Sequence, residues 1–264
     1  MMSTIPAAFA RIRSTGKPGL IAYVTAGDPD LSQTARILVS LSQNGADVIE
    51  VGVPFSDPLA DGPVIQRASE RALASGTTLR RTLQTIGTAR ASIASPLVLF
   101  TYANPILRVG EPEFVRLAAD AGIDGVLVLD LPVEEAGPFR RQLVDAGIDP
   151  IFLLSPTTTD ERIEMSAKLG RGFLYIISRL GVTGARDRVA SDAEALVRRV
   201  RTHSDLPLAL GFGISTPEQV AEVGRWVDAA VVGSALVNVI AQHGRDGDLA
   251  DRVGGYARWL KGAA

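Results

Sequence analysis

Cysteine is absent from this chain of 264 residues, and histidine is scarce. Without cysteine the chain forms no disulfide, carries no thiolate nucleophile and offers no cysteine ligand to a metal. The two histidines, His203 and His243, fall in predicted helical or helix-end segments. That placement argues against a histidine metal cluster and against a Ser-His triad. We therefore expect chemistry without a bound metal.

Lysine is almost as rare. Lys17 precedes the first predicted strand, Lys168 lies late in a predicted helix, and Lys261 lies in the tail. A Schiff base needs a lysine amine in the site, and none of the three lies at the carboxyl end of a predicted strand. The sequence therefore argues against imine chemistry.

Basic surface and long apolar runs are also missing. The 27 lysines and arginines stand against 29 acidic residues, so the net charge of −2 does not favour nucleic acid as a partner. No run reaches the roughly 18 apolar residues that would predict a membrane span. The start MMSTIPAAFARIRSTG has no basic stretch before its apolar residues and predicts a short helix, not a signal peptide. We expect a cytoplasmic protein.

Apolar runs of strand length recur eight times and alternate with segments of helical periodicity. They are LIAYVT (20–25), VIEV (48–51), PLVLFT (96–101), GVLVLD (125–130), IFLL (151–154), FLYII (173–177), LALGF (208–212) and AAVVG (229–233). Several follow a similar joint, in which glycine and aspartate come between helix and strand, as in NGADVIEV and AGIDGVLV. The repetition predicts a TIM barrel, (β/α)8, with a short N-terminal helix and extra short helices.

No linker or low-complexity segment interrupts the series, so we expect one domain over residues 1–264. The alternative is an open doubly wound sheet. That alternative is weakened because no G-x-G-x-x-G follows the first strand. In a barrel, activity belongs to the loops that follow the strands.

The segment IEVGVPFSDPLADGP (49–63) carries three carboxylates and three prolines but no basic residue. If Ile49 and Val51 face the surrounding helices, strand alternation points Glu50 into the barrel. Burial there would raise the pKa of Glu50 toward that of a general acid/base. The alternative is a structural role, in which Glu50 accepts N–H bonds from the loop.

The roles of the two aspartates in the same segment are less clearly indicated by the sequence. Asp61 comes just before a predicted helix, where helix capping and chemistry are both open roles. Asp57 lies in the middle of the loop, where a turn or surface role is the default. Residue type alone does not separate these possibilities.

Glycine-rich segments follow the last three predicted strands, namely SRLGVTGARD, GFGIST and VGSALVNVI. Glycine lets backbone N–H groups approach an anion, and a helix predicted to start at Ser234 adds a positive dipole end. The pattern indicates a phosphate site, with tight packing turns as the alternative. The polar segment GVTGARDR (181–188) predicts a lid over the site.

These motifs resemble those of the tryptophan synthase alpha subunit family. IEVGVPFSDPLADGP closely resembles the family signature, and YVTAGDP, TYANPI, DLPVEE, SRLGVTGAR and GFGIS follow the family's order. The resemblance implies a (β/α)8 barrel that cleaves indole-3-glycerol phosphate to indole and glyceraldehyde 3-phosphate. It also implies that the chain itself needs neither metal nor cofactor.

The resemblance assigns roles to single residues. Glu50 matches the general acid/base and Asp61 the carboxylate that meets the indole N–H. Tyr175 joins this catalytic group, and Tyr102 is a second hydroxyl-bearing residue near the carboxylates. Thr183 matches a lid residue that bonds Asp61. The residues that match the family's phosphate cradle are Gly184, Gly213, Gly233 and Ser234. Those that match its indole pocket are Tyr23, Phe100, Leu127 and Phe212. Tyr23 stands where phenylalanine is frequent in the family, which adds a hydroxyl at the pocket.

A partner subunit is implied as well. Asp57, Pro58 and Asn104 match a surface that faces a beta subunit in an α2β2 heterotetramer, and pyridoxal phosphate belongs to that beta subunit alone. Two alternatives keep the barrel: a free-standing indole-3-glycerol phosphate lyase, and a non-catalytic barrel that activates a partner. A third is an isomerase or epimerase of sugar phosphates, which usually needs a metal or a histidine pair near the mouth.

Overall fold

The computed structural model describes residues 2–177, 186–211 and 213–262, without side chains for 186–192. Across these residues eight parallel strands close into a barrel in chain order, with β1 paired to both β2 and β8. The strands are β1 (Gly19–Thr25), β2 (Val48–Gly52), β3 (Leu97–Thr101), β4 (Gly125–Val128), β5 (Asp149–Leu154), β6 (Leu174–Ile177), β7 (Leu208–Gly211) and β8 (Ala229–Val232). The predicted fold class is confirmed, and each strand lies within about two residues of its predicted ends.

Helices surround the barrel, and several are additional to one helix per strand. They are α1 (Ile5–Thr15), α2 (Leu31–Gln43), α3 (Pro63–Ala74), α4 (Leu79–Ala89), α5 (Ala103–Val109), α6 (Glu111–Asp120), α7 (Gly137–Asp145), α8 (Asp160–Leu169), α9 (Arg186–Arg201), α10 (Pro217–Val223), α11 (Ser234–His243) and α12 (Leu249–Leu260). Local sequence fixes several starts. Asp30 caps α2 by accepting from the Gln33 N–H at 2.8 Å, and Thr216 forms a capping box with Gln219 on α10.

Strand alternation divides the apolar residues into two layers. Ile49 and Val51 belong to the layer between the strands and the helices, whereas Val48 belongs to the interior of the barrel. Glu50 alternates with Ile49 and Val51, so its side chain points inward, as the sequence predicted.

Helix α1 plugs the amino-terminal end of the barrel. Ile5, Phe9 and Ile12 pack in the same cluster as the interior strand residues, and the rings of Phe9 and Phe173 lie 5.3 Å apart. The Thr4 N–H and hydroxyl both donate to Asp124, at 2.8 and 2.7 Å. Burial of each large apolar side chain stabilises the fold by about 1.5 to 3 kcal/mol. With this end filled, the open space of the barrel lies at the carboxyl ends of the strands.

None of the helices described here combines the length and apolar character needed to cross a membrane.

Candidate active site

A cavity of about 880 Å³ opens at the carboxyl ends of the strands. Strand ends and the loops that follow them form its wall, which is where activity resides in barrels of this type. Seven residues singled out from the sequence line it: Tyr23, Asp61, Phe100, Tyr175, Gly213, Gly233 and Ser234. Segments far apart in the chain therefore meet at one site.

Glu50 lies fully buried on β2 and is not among the residues that line the cavity. Its neighbours across the ladder are Tyr23 on β1 and Val98 on β3. Neither carboxylate oxygen has a hydrogen-bond partner among the described residues, so the structural role of accepting loop N–H bonds is absent there. Burial raises the pKa of Glu50 to about 8. The group is therefore protonated at neutral pH and close to the pKa that proton transfer requires.

Asp61 lies at the cavity wall, at the end of the loop that follows β2. The Tyr102 hydroxyl donates to Asp61 Oδ2 at 3.1 Å and accepts the Ala60 N–H at 3.1 Å. Helix α3 has Gly62 at its N-cap and no side-chain cap, so the Asp61 carboxylate does not cap this helix. Burial raises the pKa of Asp61 to about 6, and the bond from Tyr102 opposes that rise. Near pH 7 Asp61 is therefore mostly an anion at the cavity wall.

Removing the Tyr102 hydroxyl is expected to raise the pKa of Asp61 further. In Tyr102→Phe the ring keeps its packing against Phe55, whose centroid lies 5.1 Å away, but the carboxylate loses its donor. A hydrogen bond to a charged group contributes about 1.5 kcal/mol or more, so the rise should be about one unit. A carboxyl ¹³C NMR titration of Asp61 measures it. Tyr256→Phe is the matched control, because that hydroxyl donates to the Ser215 carbonyl at 2.7 Å, outside this contact. An unchanged or lower pKa in Tyr102→Phe would contradict the assignment.

Three aromatic rings form a continuous wall inside the barrel. Phe100 lies between Tyr23 and Tyr175, at centroid distances of 5.3 and 6.4 Å. Tyr175 is the second residue of the four-residue β6. Burial raises the pKa of the Tyr175 hydroxyl well above its ordinary value, and the negative charge of Glu50 adds to that rise. The wall therefore combines apolar ring faces with two hydroxyls.

Leu127 is fully buried in the barrel interior and is not among the residues that line the cavity. Its role in an indole pocket stays a prediction. Phe212, Thr183 and Gly184 lie outside the described residues, so their predicted roles are not tested by the structure.

The glycine-rich ends of β7 and β8 lie together at the cavity. Gly213 has a left-handed backbone, with φ of 59°, which favours glycine there. Gly233 is the N-cap of α11, and Ser234 is its first residue, as predicted. Free N–H groups at a helix start, with the positive end of its dipole, suit a phosphate or carboxylate. The structure therefore brings the glycines and the helix start that the sequence singled out to one side of the cavity.

Sequence reasoning missed the part of the wall that follows β5. Ser155, Pro156 and Thr157 line the cavity, and the Ser155 and Thr157 hydroxyls lie 2.9 Å apart. Ile65 of α3 is another wall residue that was not singled out. The polar run SPTTTD directly after a strand was the available signal, since loops at this end of a barrel carry function.

The residues predicted to face a partner lie on the surface. Asp57 and Asn104 are exposed, and Pro58 is half-buried. Leu59, next to Pro58, is 94% exposed, and Leu107 of α5 is 63% exposed. Both leucine side chains therefore present an apolar face to solvent.

No group of three or more histidine, aspartate or glutamate side chains suited to a metal occurs in the part of the chain that the structure describes.

Comparison with known proteins gives one family. Residues 9–254 match the family model described as tryptophan synthase alpha chain. The chain is 48% identical over 260 residues to the tryptophan synthase alpha chain of Geobacter sp. (strain M21), covering 98% of this chain and 97% of that one. It is 46% identical over 267 residues to the corresponding chain of Burkholderia thailandensis, covering 100% and 98%.

Solved structures agree. The crystal structure of tryptophan synthase subunit alpha from Legionella pneumophila str. Paris superposes with a TM-score of 0.90 at 35% identity, covering 100% of this chain and 98% of that chain. A structure of Mycobacterium tuberculosis tryptophan synthase gives a TM-score of 0.89 at 35% identity, with the same coverage. Both likenesses extend over the whole barrel.

Proposed function

The chain belongs to the tryptophan synthase alpha chain family, and we propose that Glu50 and Asp61 carry the family reaction in it. It is a carbon–carbon lyase that cleaves indole-3-glycerol phosphate to indole and glyceraldehyde 3-phosphate, a step in tryptophan synthesis. One observation supports the proposed roles above all. The buried carboxyl of Glu50 is held protonated, whereas Asp61, at the cavity wall, ionises at a lower pH.

The proposed proton transfers follow from these two states. Glu50 gives its proton to indole C3, which creates a positively charged indolenine. The Asp61 anion stabilises that charge at the ring nitrogen, in a cavity where an ion pair is stronger than in water. The Glu50 carboxylate then takes the proton of the hydroxyl next to the breaking bond. A carbonyl forms, the C–C bond breaks, and its electron pair returns to the ring, so that indole leaves and Glu50 is again protonated.

The two ends of the substrate differ in chemistry, and the cavity wall differs in the same way. Gly213, Gly233 and Ser234 are proposed to hold the phosphate with backbone N–H groups and the α11 dipole. Tyr23 and Phe100 are proposed to hold the indole ring. Phe212, Leu127, Gly184, Thr183 and Tyr175 keep the roles that the family resemblance implies, as part of this proposal.

The chain has a beta-subunit partner, as its family implies. We propose an α2β2 heterotetramer in which Asp57, Pro58 and Asn104 contact the beta subunit and indole passes to it. The exposed side chains of Leu59 and Leu107 support this placement. We further propose that the chain forms a single domain over residues 1–264, needs no cofactor of its own while the beta subunit holds pyridoxal phosphate, and works in the cytoplasm. Membership of the family does not favour a free-standing lyase or a non-catalytic barrel.

Indole release from indole-3-glycerol phosphate tests this function. We expect slow release by the purified chain, and a rise of about tenfold or more when the beta subunit from the same organism is added, which corresponds to an activation free energy lower by about 1.4 kcal/mol or more. Fast release that ignores the beta subunit would instead identify a free-standing lyase. No release under either condition would overturn the proposed chemistry and leave a phosphate-binding barrel.

A further inference from the structure

The tip of the Tyr23 ring occupies the space that a side chain at position 52 would take. A Cβ atom built on Gly52 would lie 2.1 Å from the Tyr23 hydroxyl oxygen and 2.6 Å from Cζ. Gly52 does not have a left-handed backbone, so the ring, and not the backbone conformation, excludes a larger residue there. Tyr23 is therefore seated directly on β2, two residues beyond Glu50.

The rest of the ring is held from other sides. Phe100 meets it edge to face, at 5.3 Å and 79°. A Cβ atom on Gly233 would lie 3.4 Å from Tyr23 Cδ1, so the opposite edge lies against the end of β8. Ile65 and Ala68 of α3 pack in the same cluster. These contacts leave little room for the ring to turn away.

The held ring also forms part of the cavity wall, where Tyr23 is 7% exposed. Among the residues that the structure describes, the hydroxyl has Thr25 Oγ1 as its hydrogen-bonding partner at 3.5 Å, which is long for an O–H···O bond. The hydroxyl thus fills the space over Gly52 and makes no strong bond to the described residues.

We propose that Tyr23, seated on Gly52, is a specificity-determining residue whose hydroxyl excludes substrates with a substituent on the six-membered ring of the indole. The proposal rests on the proposed function, because it needs the indole end of the substrate to lie beside Tyr23. A phenylalanine at this position would leave the volume of one hydroxyl above Gly52. In hydrophobic pockets, room for one methyl group changes kcat/KM by about 10- to 200-fold.

The test compares wild type and Tyr23→Phe on indole-3-glycerol phosphate and on its four ring-methylated forms, with methyl at position 4, 5, 6 or 7. For at least one methylated form we expect kcat/KM, relative to the unmethylated substrate, to rise about tenfold or more in the variant. The readout is the ratio of kcat/KM for each methylated form to kcat/KM for the unmethylated substrate, because Tyr23 also contributes to binding the unmethylated substrate. Tyr256→Phe removes a hydroxyl outside this wall and should leave all the ratios unchanged.

The outcomes separate this inference from the function beneath it. If wild type cleaves the unmethylated substrate but no methylated form gains in Tyr23→Phe, the inference is overturned and the function stands. If the unmethylated substrate loses tenfold or more with unchanged ratios, the hydroxyl binds substrate instead of excluding it, and the inference is again overturned. If wild type cleaves nothing, the proposed function and this inference both fail.

Gly52→Ala provides the reciprocal test. Its added methyl group should push the Tyr23 ring toward the substrate and lower kcat/KM for the unmethylated form about tenfold or more, without the gain for methylated forms. Unchanged kinetics in a folded Gly52→Ala protein would show that the ring is not seated on Gly52.

Discussion

Glu50→Gln is expected to abolish indole release, with kcat lower by about three orders of magnitude or more. Glutamine keeps the size and shape of the side chain but can neither give a proton to indole C3 nor accept one from the substrate hydroxyl. The structure leaves both Glu50 oxygens without a partner among the described residues, so the substitution breaks no structural hydrogen bond to them. A rapid-quench assay of a single turnover measures the loss at the chemical step.

The control for folding is a comparison of stability at several pH values. The pKa of Glu50 is raised from 4.5 to about 8, so the folded state holds this proton more tightly than the unfolded state does. The contribution of Glu50 to stability is therefore present below pH 4.5 and is lost as pH rises toward 8. Relative to wild type, Glu50→Gln should become more stable across this window, by about 3 to 5 kcal/mol at its upper end. Urea unfolding at pH 5 and pH 9 measures the change.

Turnover near the wild-type rate in folded Glu50→Gln would sink the acid/base assignment. A loss of activity together with a loss of stability at high pH would instead indicate that Glu50 supports the fold.

Asp61→Asn is expected to lower kcat/KM by about two to three orders of magnitude. Loss of a fixed group that stabilises transition-state charge typically has an effect of this size. Asparagine preserves the shape and can still accept from Tyr102, so the change removes chiefly the negative charge. Steady-state kinetics of indole release at pH 7.5, where wild-type Asp61 is ionised, measure the effect.

The pH dependence of kcat/KM provides a second test of the role of Asp61. Because the pKa of Asp61 is about 6, kcat/KM of the wild type should fall as pH drops through 6 and the anion is lost. In Asp61→Asn the residual kcat/KM should not show this fall, which is the acidic limb of the pH profile. Glu70→Gln is the matched control, because it removes one exposed carboxylate from α3, away from the cavity. This control should keep both the wild-type kcat/KM and its fall as pH drops through 6. An acidic limb that persists near pH 6 in Asp61→Asn would assign it to another group.

Local patterns in the sequence were sufficient for the barrel and for part of its site. Eight apolar runs with similar joints predict eight parallel strands, because the hydrophobic periodicity that distinguishes strands from helices is visible in short stretches of sequence. Alternation along β2 was enough to turn Glu50 inward, since successive side chains of a strand must point to opposite faces. Glycines after β7 and β8 and the start of α11 at Ser234 were likewise visible, because a helix start has a local signature.

Tertiary structure decided what depends on partners distant in the chain. Local sequence leaves the Asp61 carboxylate open to capping or chemistry, and its donor, Tyr102, lies 41 residues away. The fit of Tyr23 onto Gly52 is set by the register of β1 against β2, and the sequence of neither strand alone predicts that register. The raised pKa of Glu50 has the same origin, because desolvation depends on everything packed around a group. Periodicity is a property of adjacent residues, whereas register, enclosure and electrostatic environment arise only when the barrel closes.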